Sequence, residues 1–129
     1  MILLDTHVLV WSNREPRKLS RLAYSAIRRA RSQKGLAVSV ATLVELAGLL
    51  SQGRITTSGT LEWTVRQLIE EVQVLLVSFD VATLTAYFPP DFPSDPMDRI
   101  IAATARAEGI PLVTADEQIQ RCSLLKTIW

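Results

Sequence analysis

Short apolar runs alternate along this chain with segments whose apolar residues recur every three or four positions. Ile2-Leu3-Leu4, Leu36-Ala37-Val38, Val74 to Val77 and Leu112-Val113 contain no polar alternation, so each reads as a strand buried on both faces. A last short strand is expected at Lys126-Thr127-Ile128. The segments between them have helical period. Leu19, Leu22, Ala23, Ala26, Ile27 and Ala30 form a continuous i, i+3, i+4 stripe. A second helix is expected from about Val40 to Leu50, behind Ser39 as its cap. A third carries Leu61, Val65, Leu68, Ile69 and Val72 on one face, and Asp80 reads as the cap of a short helix through Tyr87. After the proline-broken loop FPPDFPSDP comes a helix with Asp95 at its N-cap, Pro96 at N1 and Gly109 just past its end.

Strands alternating with helices predict an α/β fold, a three-layer α/β/α arrangement around a central parallel sheet of four to five strands. Its crossovers should be right-handed. No repeat, low-complexity tract or linker interrupts the pattern, so residues 1–129 read as a single domain. In open parallel sheets ligands bind beyond the carboxyl ends of the strands, near the point where strand order reverses. That is where functional residues are expected.

Composition narrows the chemistry. The 129 residues are 48% apolar and 21% charged, the profile of a soluble globular domain. The formal charge of +1 conceals a strong asymmetry. From Arg14 to Lys34 there are eight bases and one acid, a net +7, and the remainder carries six bases and twelve acids, a net −6. A single cysteine, Cys122, excludes an internal disulfide and a multi-cysteine zinc site, and fits a reducing compartment. MILLDTHVLV lacks a basic leader and is broken by Asp5, so it reads poorly as a signal peptide, and a cytoplasmic location is expected. The single histidine, His7, excludes mechanisms that need two imidazoles, and no G-x-S-x-G elbow is present. The five glycines form neither a dinucleotide-binding fingerprint nor a P-loop. Catalysis, if there is any, must come from carboxylates.

Four carboxylates are expected to converge on one edge of the sheet. Asp5 follows the first strand and Asp116 follows the strand at Leu112-Val113-Thr114; Asp98 lies in the first turn of the helix begun by Pro96. Glu45 lies in the second turn of the helix after the second strand. Three of them have structural explanations of equal weight. Asp5 can cap the following helix, Asp98 at N3 suits the helix dipole, and Thr114-x-x-Glu117 reads as a capping box with Asp116 at N2. Glu45 is different, because Ala41, Thr42, Gly48 and Leu49 surround it at i±3 and i±4 and none is a cation. Clustered carboxylates repel unless a cation neutralises them, and an all-oxygen donor set suits Mg²⁺ or Mn²⁺. Such an ion can activate water and polarise a phosphodiester for in-line attack, leaving a 5′-phosphate and a 3′-hydroxyl. Asp98 or Glu45 would help orient the water.

MILLDTHVLVW, VATLVELAGLLSQGRI, DPMDRIIAATARAEGIPLVTADEQI and the terminal KTIW together resemble a PIN-domain ribonuclease, and more narrowly a VapC-type toxin of a prokaryotic toxin–antitoxin pair. The resemblance covers nearly the whole chain. It implies a PIN-like fold, with Asp5, Glu45 and Asp98 as the three family acids, Asp116 as the fourth, and Thr6 and Thr114 as hydroxyl support. Two positions depart from the pattern: Val44 stands where a tryptophan is common, and Pro93-Ser94 where a His-Gly pair often precedes D-P-x-D-R. Neither departure removes an acid. The resemblance further implies an RNA substrate, commonly tRNA or mRNA, a Mg²⁺ or Mn²⁺ cofactor, a homodimer, and a small VapB-like antitoxin partner. Arg99 could bind substrate phosphate or pair with a site carboxylate, and the second is preferred because an adjacent cation would keep the acids ionised. Asp95 is expected to support the site as the cap of the Asp98 helix.

Two surfaces complete the reading. Arg17, Arg21, Arg28 and Arg31 fall near one face of the first long helix and could track an RNA backbone, although a solvated helix face explains them equally well. Trp63 lies opposite the apolar stripe of its helix, beside Arg66, Gln67 and Glu70, and suggests a protein interface unless a loop folds over it. Trp11 and Trp129 follow apolar runs and read as core. The competing functions are a non-catalytic RNA- or protein-binding module with the same fold, and a metal-dependent phosphatase, which the absence of a D-x-D after the first strand disfavours.

Overall fold

The computed structural model describes all 129 residues, Met1–Trp129. In chain order the elements are β1 (Ile2–Leu4), α1 (Thr6–Arg14), a 3₁₀ turn (Pro16–Lys18), α2 (Arg21–Ser32), β2 (Leu36–Ser39), α3 (Val40–Ser51), α4 (Leu61–Leu68), β3 (Gln73–Leu75), α5 (Phe79–Leu84), α6 (Pro96–Glu108), β4 (Leu112–Val113), α7 (Glu117–Gln120) and β5 (Thr127–Ile128). The five strands form one sheet in the order β3-β2-β1-β4-β5, every pair parallel. The expected α/β/α layering with a parallel central sheet is what the chain adopts.

Strand geometry divides the core in two. Successive side chains on a strand point to opposite faces. Ile2 and Leu4 of β1, Leu36 and Val38 of β2, and Val113 of β4 therefore pack on one side, against Val8, Ala23, Ile27, Leu46 and Leu68. Leu3, Ala37 and Leu112 pack on the other, against Ile101, Ala102, Ala105 and Ile119. Helices α1, α2 and α4 cover the first face, and α6 and α7 the second. The strand order runs from β1 to β2 and β3 on one side and jumps back to β4 on the other. The reversal lies between β1 and β4, so the crevice of this sheet opens at their carboxyl ends.

Local chemistry sets several boundaries where they were expected. Ser39 caps α3 by accepting from the Ala41 N–H, Asp95 caps α6 at Met97, and Gly109 ends α6 in the left-handed conformation at φ 65. Other expectations are corrected. The third strand is Gln73–Leu75 rather than Val74–Val77, and it is not buried on both faces. It is an edge strand with one neighbour, and Leu76 beyond it is 75% exposed. Ser20 caps α2, which places Leu19 before the helix and sets Ala23 and Ile27 inward; Leu22 is then 67% exposed. Helix α4 stops at Leu68, although Ile69 and Val72 still pack on the core. Ser78 rather than Asp80 caps α5, and Asp116 rather than Thr114 caps α7. Trp11 and Trp129 are only half-buried, with their rings 6.0 Å apart.

Candidate active site

Segments from four separate parts of the chain bring acids to the β1–β4 crevice. Asp5 leaves β1 and Asp116 follows β4, Glu45 projects from the second turn of α3, and Asp95 and Asp98 occupy the N-cap and N3 of α6. Together with His7, Val8, Trp11 and Ala115 they line one cleft of about 370 Å³. The four carboxylates expected to converge do so, and a fifth joins them.

The fifth is Asp95, which the sequence marks as the cap of α6. Its Oδ1 accepts the Met97 N–H at 2.9 Å, which leaves a second oxygen for other work. Glu45, Asp95 and Asp98 each place one carboxylate oxygen within 4.8 Å of the others, a spacing that can hold a metal ion. The signal in the sequence was the D-P-x-D spacing, which sets an N-cap and an N3 carboxylate on the same first turn. Asp5 and Asp116 share the cleft without belonging to that trio. Asp5 accepts the Thr6 N–H on Oδ1 at 2.9 Å and the Thr114 hydroxyl on Oδ2 at 2.7 Å. Asp116 uses Oδ1 to cap α7, accepting from the Gln118 and Ile119 N–H groups.

Hydroxyls hold the acids in place, as Thr6 and Thr114 were expected to. The Thr6 hydroxyl donates to Glu45 Oε1 at 2.5 Å. Thr6 has a single hydroxyl proton, so the Thr42 hydroxyl, 3.1 Å away, is the donor between those two. Both threonines are buried.

Electrostatics makes this a strained set of charges. Burial, followed by the Coulombic repulsion of Asp5, Asp95, Glu45 and Asp116, pushes Asp98 up to about 7. Burial also raises Glu45, with the Thr6 hydrogen bond opposing it and Asp5 and Asp95 adding to it. Burial raises Asp5 against the pull of its bonds from Thr114 and the Thr6 N–H. In the Thr6→Val variant Glu45 should titrate higher still, because the only hydrogen bond lowering it is gone, whereas Thr6→Ser should keep the parent value. Carboxyl ¹³C NMR titration reads this, and an unchanged Glu45 in Thr6→Val would contradict the role given to the hydroxyl.

Arg99 does not supply the missing countercharge. Its Nε donates to the Pro93 carbonyl at 2.9 Å and a terminal nitrogen to the Thr85 carbonyl at 3.2 Å, with the guanidinium against the Phe92 ring. The expected pairing with a site carboxylate is therefore corrected: unsatisfied loop carbonyls capture the fork first. The donor set is all oxygen, crowded and without a paired cation, which fits a hard divalent ion.

The basic face is also rearranged. Arg21, Arg28 and Arg31 lie on α2, but Arg17 belongs to the preceding 3₁₀ turn. Arg31 is paired with Glu71 at 2.8 Å, so it is partly neutralised. Arg17, Arg21 and Arg28 are exposed. Trp63 is 48% exposed on α4, and Gly59 of the preceding loop lies beside its ring.

Known proteins resemble this chain in sequence and in fold. The sequence model of the PIN domain matches residues 2–124. Ribonuclease VapC22 of Mycobacterium tuberculosis (strain ATCC 25618 / H37Rv) is 40% identical over 120 residues, which cover 92% of this chain and 89% of that protein. Among solved structures, VapBC2 from Rickettsia felis bound to a promoter DNA fragment superposes with a TM-score of 0.74 at 17% identity, covering 98% of this chain and 97% of that one. DNA-bound VapBC from Salmonella typhimurium does so with a TM-score of 0.71 at 20% identity, covering 98% and 95%.

Proposed function

The chain belongs to the PIN-domain family, and we propose that it is a metal-dependent endoribonuclease, a single nuclease domain acting as the toxin of a toxin–antitoxin pair. The carrying observation is the cleft at the switch point of the sheet, where Asp5, Glu45, Asp95, Asp98 and Asp116 meet without a paired cation. A relative at 40% identity that bears the name of a ribonuclease supports the reading.

Glu45, Asp95 and Asp98 would hold a divalent ion, Mg²⁺ or Mn²⁺ by donor type, with Asp5 and Asp116 facing the same space. When bound, that ion lowers the pKa of a water and polarises the phosphodiester. The chain's own groups do the rest. Thr114 and the Thr6 N–H fix the Asp5 carboxylate, and Thr6 fixes Glu45. Glu45 or Asp98 orients the attacking water and takes its proton on a carboxylate oxygen. Attack in line breaks the bond from phosphorus to the 3′-oxygen, which leaves with a proton from solvent water, and the products are a 5′-phosphate and a 3′-hydroxyl.

The substrate is RNA of the tRNA or mRNA class. Arg17, Arg21 and Arg28 are among the exposed cations of the basic segment and would meet its backbone, with Arg31 shared with Glu71, so binding weakens steeply with salt. The exposed Trp63 is the anchor offered to a protein partner, a small VapB-like antitoxin or the second subunit of a homodimer. The solved neighbours are themselves VapBC complexes, which supports the antitoxin reading. The one free cysteine supports a cytoplasmic location. No helix is long and apolar enough to cross a membrane.

RNA cleavage by the purified chain should stop with EDTA, return with Mg²⁺ or Mn²⁺, and be lost in Asp5→Ala. Equal cleavage by parent and Asp5→Ala would overturn the site. Tight metal-independent RNA binding, indifferent to the acids and without cleavage, would establish the binding module instead.

A further inference from the structure

The buried polar side chains are all hydroxyls: Thr6, Ser39, Thr42, Thr64, Thr104 and Thr114. A hydroxyl shut away from water needs a partner, so each has to be accounted for. Five of them serve an acid or their own backbone. Thr6 donates to Glu45, Thr114 donates to Asp5, and Ser39 caps α3. Thr64 and Thr104 donate to the carbonyls four positions back, those of Thr60 and Ile100, as a threonine within a helix commonly does. Thr42 does neither. It stands in the first turn of α3, and the residue four back, Val38, belongs to β2. Its one side-chain partner is the Thr6 hydroxyl at 3.1 Å. The Thr6 proton is committed to Glu45, so Thr42 is the donor.

Thr6 is the joint between two acids. Its N–H donates to Asp5 Oδ1 at 2.9 Å and its hydroxyl to Glu45 Oε1 at 2.5 Å. Asp5 comes from the end of β1 and Glu45 from α3, so their relative placement depends on how Thr6 is held. Thr42 and Glu45 stand at i and i+3 on α3, on one helix face, and both reach Thr6. The Thr6 oxygen accepts from the first and donates to the second, which fixes the rotation of its O–H bond. A donor behind it also polarises that bond and strengthens the one it makes to Glu45.

We propose that Thr42 is a positioning residue of the metal site: through Thr6 it holds the Glu45 carboxylate in place against Asp5. This rests on the metal-dependent nuclease reading. Thr42 is buried and does not line the cleft, so it meets neither ion nor RNA. Partners one step behind a metal ligand set its orientation, and their loss weakens metal binding.

The test is Mn²⁺ binding, followed by the EPR signal of the free ion, in parent, Thr42→Val, Thr42→Ser, Thr6→Val and the double variant. Valine keeps the branched shape and removes the hydroxyl; serine keeps the hydroxyl. Thr42→Val should bind Mn²⁺ about tenfold more weakly, and at fixed Mn²⁺ its kcat should fall with KM for RNA unchanged. Thr42→Ser should match the parent. In the Thr6→Val background, adding Thr42→Val should change nothing further, because the relay is already cut. If Thr42→Val does not fold, Thr42→Ala replaces it in the same comparisons. Unchanged Mn²⁺ affinity without the hydroxyl, an equal loss in Thr42→Ser, or losses that add in the double variant would each overturn the relay while leaving metal-dependent cleavage standing. A parent that neither binds Mn²⁺ nor cleaves RNA would overturn the nuclease reading instead. The Glu45 carboxyl ¹³C shift of the metal-free protein then decides the relay: Thr42→Val should move it in the parent and not in Thr6→Val, and an unmoved shift would overturn it.

Discussion

The Asp98→Asn variant should cleave RNA at least about 10²-fold more slowly than the parent and yet melt a few degrees higher in metal-free buffer at pH 8. The two effects have one origin. Partial burial, followed by the repulsion of four neighbouring acids, pushes Asp98 up to about 7, so ionising it in the folded chain is unfavourable. An acid raised above its unfolded value of 3.8 favours the folded state at low pH, and that contribution is lost as pH rises from about 4 through about 7. Above 7 the native state carries the full cost of burying the charge among other acids, and asparagine removes it. The carboxylate is half-exposed, so solvent screening reduces the gain to roughly 1 kcal/mol, a shift of a few degrees in Tm for a chain of this size. The difference in Tm between variant and parent should be largest at pH 8 and shrink toward pH 4. Mn²⁺ should raise the Tm of the parent, because it binds only the assembled site, and raise that of the variant much less. Melting curves at the two pH values with and without Mn²⁺ check all of this. Undiminished cleavage, or a Tm difference independent of pH, would contradict it.

Leu3→Ala should cost about 3–5 kcal/mol, much of the stability of a domain of this kind. Leu3 is 0% exposed in the central strand and packs on the second core face with Ala37, Ile101, Ala102 and Leu112. The truncation leaves a cavity that a strand paired on both sides cannot collapse to fill. The urea midpoint should fall sharply with an unchanged m-value. Leu76→Ala is the contrasting substitution, because Leu76 lies beyond the edge strand and is 75% exposed; it should stay within about 0.5 kcal/mol of the parent. Similar losses from the two substitutions would contradict the assignment of core and edge.

That contrast also marks what could be read from the sequence. Ile2-Leu3-Leu4 and Val74 to Val77 are equally apolar as strings, yet one becomes the centre of the sheet and the other its edge. Strand order is decided by contacts between distant segments, which a local pattern does not carry. The bounds of α6 were legible to the residue because Asp95, Pro96 and Gly109 act on their own backbone. The convergence of Asp5, Glu45, Asp98 and Asp116 was legible for the same reason: each sits at a strand end or early helix turn. What failed were side-chain directions set from afar. Arg99 turns to the Thr85 carbonyl fourteen positions away, and Arg31 to Glu71 on the other side of β2 and α3. Asp95 as a metal donor is not legible locally, because its capping role accounts for one oxygen and only the fold brings the other to Glu45 and Asp98.

The end groups of the cleaved RNA test the central claim most directly, since carboxylate-held metal hydrolysis and imidazole-driven transesterification leave different termini. Cleavage by this chain with Mn²⁺ should give 5′-phosphate and 3′-hydroxyl ends, and none should form in EDTA. Products ending in a 2′,3′-cyclic phosphate and a 5′-hydroxyl, formed equally well in EDTA, would contradict the account.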